Sequence, residues 1–201
     1  MKPLCLGAAA RTVGRALALA SCATQAHAHL IETGLGPVYD GVAHFALTPE
    51  DVIPPLALAV LAGLRGRDHA RRAIFVLPMA WLLGGFLGAS AKVLLPNSLS
   101  WVPLLVLGSL VAADFRLPAA ATTALAAALG LLLGLANGYA MAQAGAGVRG
   151  VVGIVGAVFV VTTLVAACVV AWQSRWLRIA WRVAGSWIAA SGLLLLGWSL
   201  R

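Results

Sequence analysis

Charge is what this chain lacks. Only 10% of its 201 residues are Asp, Glu, Lys or Arg, where a soluble domain carries about 25%. That deficit, with 62% hydrophobic residues and a mean hydropathy of +0.97, excludes a freely soluble domain. Apolar runs of roughly 20 residues recur to the end of the chain, and each is long enough to cross a bilayer as a helix. The sequence therefore reads as an all-α polytopic membrane helix bundle, with the lipid bilayer as its first partner. Acidic residues are the scarcest charges, six against 14 basic ones. The resulting +8 does not point to nucleic acid, because the arginines sit in short stretches between apolar runs, a pattern that orients helices in a membrane. Cysteine is scarce too, at three residues. There is no HExxH, no nucleophile–base pair and no nucleotide-binding motif, so neither an enzyme nor an ATP-driven pump is expected.

The amino end has the form of an export signal, residues 1–28. Lys2, Arg11 and Arg15 precede a short apolar run, and Ala26-His27-Ala28 has the small-x-small form of a cleavage site. Cutting there makes His29 the first residue and leaves Cys168 as the one remaining cysteine, which excludes a disulfide framework or a cysteine zinc site within one chain. Two other readings stand beside this one: Leu19-Ala20-Ser21-Cys22 resembles a lipidation site, and the segment can also stay in place as an anchor.

What charge there is gathers in one place. Between His29 and Asp51 lie two of the four histidines and four of the six acids, namely Glu32, Asp40, Glu50 and Asp51. Neutral imidazole with carboxylate suits divalent first-row metals: nickel, cobalt, copper or zinc. Residues 29–50 are too polar to span and are expected as a periplasmic segment, with a loop at Gly34-Leu35-Gly36-Pro37 and a short interfacial helix over 38–46. Asp40 and His44, four apart, share a face of that helix. Thr48-Pro49-Glu50-Asp51 reads as a helix start: an N-cap residue, a proline at the first position, and two acids at the positive end of the dipole. Asp51 lies deeper than Glu50, where a carboxylate is costly without a purpose. His29, if cleavage follows Ala28, offers an α-amine and an imidazole to the same ion.

Residues 51–201 are expected to form six transmembrane helices, over 51–64, 73–95, 99–113, 118–142, 151–172 and 179–200. Residues 65–72 read as a basic loop and 143–150 as a glycine-rich one. Arg65, Arg67, Arg71, Arg72, Arg116, Arg175, Arg178 and Arg182 then fall at one face of the bundle, and Lys92, Arg149 and Arg201 at the other. The arginine-rich face should be cytoplasmic. The mature amino terminus is thus periplasmic in a multi-pass protein of the bacterial inner membrane, which agrees with an export signal.

Gly130, Gly134 and Gly138 recur every four residues, as do Ala80, Gly84 and Gly88. Small residues at this spacing let helix backbones approach closely in lipid, either as plain packing or as the wall of a narrow path. The seven tryptophans lie mostly near span ends and are expected to anchor at the interface. Asn137 and Met141 share one face of the fourth span and are candidates for lining a transport path, with Ser90, Thr162 and Thr163 as further polar groups. Asp68 and His69 are expected in a solvated loop.

The stretch TGLGPVYDGVAHFALTPEDVIPPLALAVLAGLRG resembles the amino-terminal portion of the HupE/UreJ family, small bacterial membrane proteins tied to nickel supply for hydrogenase and urease. Gly41-Val42-Ala43-His44 keeps the glycine and histidine of the family's pattern, with Ala43 where an aspartate is usual. Gly134-Leu135-Ala136-Asn137-Gly138 is similar to a later glycine–histidine–glycine stretch, with Asn137 in place of the histidine. The resemblance implies a permease for a divalent metal, nickel or cobalt first and copper or zinc possible, with no firm resident cofactor. The alternative is a non-transporting metal-binding or accessory protein. A homo-oligomer and metalloenzyme maturation proteins are the partners it suggests. The candidate metal ligands are His29, Asp40, His44, Glu50 and Asp51, of which Asp40, His44 and Asp51 are expected to meet at the outer mouth of the bundle.

Overall fold

The computed structural model describes residues 33–91 and 100–200. The export signal (1–28), His29, Glu32, Lys92 and Arg201 lie outside them. Every element among the described residues is a helix: α1 (Pro37–Leu47), α2 (Pro49–Arg65), α3 (Arg67–Ala91), α4 (Trp101–Ala112), α5 (Ala119–Gln143), α6 (Gly147–Ala171) and α7 (Arg175–Ser199).

The breaks follow from local chemistry. Gly36, at φ 105°, opens α1, with Pro37 in its first turn. A residue before proline is pushed out of the helical region, and Thr48, before Pro49, is extended at φ −106°, ψ 97°. The chain bends there by 75°, so α1 and α2 form a broken span or a re-entrant loop. Thr48 takes the N-cap position as expected, but its side chain makes no capping bond.

Between α2 and α3 one residue turns the chain, Gly66 at φ 104°. Residues 67–72 are therefore the first turns of α3 and not a loop. Gly66 alone supplies the reversal, and the arginines, His69 and Ala70 are compatible with helix. The glycine-rich loop likewise shrinks to 144–146.

Four helices, α3, α5, α6 and α7, have 25 residues each and are apolar enough to cross a membrane. At 1.5 Å per residue each is about 37 Å long. The helices expected as the first and third spans are shorter: α2 has 17 residues and α4 has 12, or about 25 and 18 Å, against a hydrocarbon core of about 30 Å. The six expected spans thus become four long helices, a bent pair and one short helix.

Two glycine stripes do the closest packing, and they pack on each other. A Cβ at Gly130, Gly134 or Gly138 would land on the carbonyl oxygens of Leu77, Trp81 and Gly85, while one at Gly84 or Gly88 would strike those of Leu131 and Leu135. α3 and α5 therefore touch backbone to backbone, which is the packing reading of the stripes and leaves no path between them. α1 lies on α6 in the same way, through Gly41 against Gly150 and Gly153 against Val38, and α4 on α7 through Gly108, Gly185 and Gly192. Enclosed by these pairs, α2 is the central helix: Leu58, Leu61 and Ala62 are wholly buried. On α7, by contrast, only Gly185 and Gly192 are buried.

The basic residues gather at one end. Arg65, closing α2, pairs with Asp114 after α4 and donates to its backbone oxygen at 2.9 Å. Arg178 of α7 approaches the same carboxylate at 3.7 Å, and Arg182 donates to Ala112 O at 2.9 Å. His69 meets Leu117 O at 3.3 Å, so it is a contact between α3 and the start of α5.

Candidate functional site

The bend at Thr48 brings together two residues that a straight helix would separate. His44 and Asp51 are seven residues apart, which in continuous helix is about 10 Å of rise. Here His44 Nε2 lies 3.5 Å from Asp51 Oδ2. The other carboxylate oxygen, Oδ1, accepts from Asn137 Nδ2 of α5 at 2.9 Å. The same amide donates to Leu133 O at 2.9 Å. Both partners are acceptors, so the amide orientation is fixed and its carbonyl, Oδ1, is left without a hydrogen-bond partner. Asn137 is 2% exposed and Asp51 7%. A buried polar atom normally has a partner, and this acceptor stands beside the His44 imidazole and the Asp51 carboxylate.

The surroundings hold the three side chains in position. Gly134 and Gly138 seat α5 against the backbone of α3 on either side of Asn137. Phe45, next to His44, meets Trp81 edge to face at 6.2 Å between centroids. Asp51 stands in the first turn of α2, where the helix dipole favours negative charge. Pro54 and Pro55 lie inside that helix and lack amide hydrogens, so the carbonyls of Glu50 and Asp51 lose their usual partners four residues on. Metal ligands about 2.0–2.2 Å from one ion at a tetrahedral angle stand roughly 3.4 Å apart. The His44–Asp51 separation matches that spacing. Imidazole nitrogen, carboxylate oxygen and amide oxygen form a borderline donor set for a first-row divalent ion.

Other candidates are placed elsewhere. Asp40 is turned toward the amino end, where its Oδ1 accepts from the amide and hydroxyl of Thr33, both at 2.7 Å. It does not join His44 and Asp51, because Thr33 already holds its carboxylate. Glu50 is exposed beside the buried Asp51. No group of three or more His, Cys, Asp or Glu forms among the described residues. Met141 is wholly buried, with its sulfur against Gly150 of α6, and serves packing. Ser90 and Thr162 donate to their own helices, at Phe86 O and Val158 O. Of the four polar groups expected along a path, only Asn137 reaches the site.

Trp81 departs from its expected role as an interfacial anchor. It is fully buried in mid-α3, and its indole Nε1 has no hydrogen-bond partner. Its signal was present in the sequence: it is flanked by Ala80, Gly84 and Gly85, a run of small residues that only a packed helix face needs. The Asn137–Asp51 bond spans 86 positions, and no spacing rule reaches across that distance.

Comparison with curated proteins and with solved structures gives no match. The model of the HupE / UreJ protein family matches residues 17–195, which takes in all of α1 to α6 and most of α7. The match covers most of the chain and agrees with an all-helical membrane bundle, so this chain belongs to the HupE/UreJ family.

Proposed function

We propose that the protein is a permease for a divalent transition-metal ion, nickel or cobalt in the first place and copper or zinc as alternatives. It would sit in the bacterial inner membrane with the His44–Asp51 end facing the periplasm. The observation that carries this reading is the junction of His44, Asp51 and Asn137 at the α1–α2 break, with Asn137 Oδ1 unpartnered. Asp51 opens α2 and Arg65 closes it, so the site lies about 21 Å from the arginine-rich end. The positive-inside rule favours cytoplasm for that end. The ion would give up water for these ligands and move inward down its gradient, or with the help of a separate partner. The proposal includes no covalent chemistry and no resident cofactor.

A second reading, a membrane metal-binding or accessory protein for metalloenzyme assembly, has one observation in its favour. Inward of Asp51, α2 is closed by wholly buried Leu58 and Leu61. Uptake into proteoliposomes separates the two readings. Nickel, cobalt, copper and zinc are offered to the wild type, His44→Ala, Asp51→Asn and Asp40→Ala. A permease takes up at least one of these ions, loses uptake in the first two variants and keeps it in Asp40→Ala. Metal binding without uptake would favour the accessory role. Unchanged binding in His44→Ala and Asp51→Asn would overturn the site.

A further inference from the structure

At the arginine-rich end, α3 and α6 part to leave a groove of about 270 Å³ on the outer surface of the bundle. Arg67 and Arg71 line it at one end, and Ile74 and Phe75 continue the same face of α3 inward. Ala167 and Thr163 form part of the opposite wall on α6. The order along the groove is therefore two cations, then hydrocarbon. Arg65, Arg178 and Arg182 at this end each have an acceptor. Arg67 and Arg71 are exposed and have no ion pair among the described residues. Asp68 stands about 100° round the helix from Arg67 and does not line the groove. Thr163 Oγ1 is buried with no hydrogen-bond partner. Ala70 packs with Ala166, so Thr163 lies roughly level with Ala73, about 3 Å deeper than Arg71. Beyond it, Phe75 meets Phe159 of α6 at 6.2 Å between ring centroids.

We propose that this groove holds one anionic phospholipid, its phosphate on Arg67 and Arg71 and an acyl chain along Ile74, Phe75 and Ala167. A glycerophospholipid carries its groups in this order: phosphate outermost, esters just beneath, hydrocarbon below. Arginine forks suit phosphate oxygens, and basic pockets between spanning helices bind anionic headgroups. A free phosphate makes no use of the apolar wall. A second copy of this chain would bring the same arginines and repel. The inference is independent of the metal reading.

The test is native mass spectrometry of the full chain, extracted in mild detergent and titrated with phosphatidylglycerol, cardiolipin or phosphatidylethanolamine. The wild type should retain one anionic lipid in preference to phosphatidylethanolamine. Arg67→Gln with Arg71→Gln should weaken that retention by about tenfold or more. Ala167→Phe, which fills the apolar wall and leaves both arginines, should weaken it as well. Arg72→Gln, outside the groove, should leave it unchanged. Equal retention of phosphatidylethanolamine, or an equal loss in Arg72→Gln, would overturn the site. So would full retention in Ala167→Phe, or displacement of the lipid by inorganic phosphate. If the double variant fails to fold, Ala167→Phe and the lipid titration still decide the matter.

Discussion

Asn137→Leu isolates the bond on which the site depends. Leucine is close to asparagine in size, suits an apolar α5, and removes the one donor to Asp51 Oδ1. Asp51 is 7% exposed, so water does not readily replace that donor. A hydrogen bond to a charged acceptor contributes about 1.5–3 kcal/mol. The substitution also removes the unpartnered Asn137 Oδ1, whose burial costs on the order of 1 kcal/mol. The two effects oppose, and the single variant should lose about 1–2 kcal/mol.

The balance changes once the carboxylate is gone. In an Asp51→Ala background, Asn137→Leu removes the unpartnered Oδ1 together with the bond to Leu133 O, two opposed effects that should leave it close to neutral. The coupling energy across the double-mutant cycle should therefore be about 2 kcal/mol, inside the range for residues in direct contact. Unfolding in mixed micelles, followed by tryptophan emission, reads all four corners, since Trp81 is wholly buried. A coupling below about 0.5 kcal/mol, the level seen for independent sites, would refute the reasoning and show Asp51 to be satisfied without Asn137.

Two further predictions follow from the same geometry. Asn137→His, which places a second nitrogen donor beside Asp51, should raise nickel affinity by about tenfold, or roughly 1.4 kcal/mol, measured by calorimetric titration; a fall in affinity would mean that the amide oxygen is the better ligand. Gly138→Ala, whose Cβ would strike the Gly85 carbonyl, should destabilise the bundle by about 1–3 kcal/mol, whereas Gly156→Ala, with open space around it, should be neutral or stabilising by up to about 1 kcal/mol; equal effects in the same micelle unfolding assay would refute the account of the stripes.

How much of this was legible depends on how local its cause is. The α1–α2 boundary was readable because Gly36-Pro37 and Thr48-Pro49 act within two residues. The meeting of α3 and α5 was half readable: each small-residue stripe announces a close neighbour, but nothing in the stripe names it. The start of α3 falls inside the basic loop that the arginines suggest, because a long side chain on an exposed helix face carries its charge to water without breaking the helix. Asp40 shows the limit of spacing rules. It shares a helical face with His44, yet an upstream threonine seven positions away captures its carboxylate. Asn137 was visible as a polar residue in an apolar helix, while its partner depended on how α2 and α5 pack.

The prolines of α2 supply the last prediction. Pro54 and Pro55 lie inside the helix that is buried most deeply, in the turns just inward of Asp51. A proline in a helix interior is unfavourable by about 3 kcal/mol relative to alanine, and backbone carbonyls without partners cost more where lipid excludes water. If the two prolines were only a defect, Pro54→Ala with Pro55→Ala would stabilise the protein by several kcal/mol and leave metal affinity alone. On the proposed reading the carbonyls of Glu50 and Asp51, which lack their amide partners four residues on, add oxygen donors to the ion's shell. Restoring the two amides should therefore raise stability and weaken metal binding together, by about tenfold in affinity, or roughly 1.4 kcal/mol. Micelle unfolding and nickel titration on the same preparation measure both quantities. A stabilised variant that binds nickel as the wild type does would show that the prolines only set the path of α2 and take no part in holding the ion.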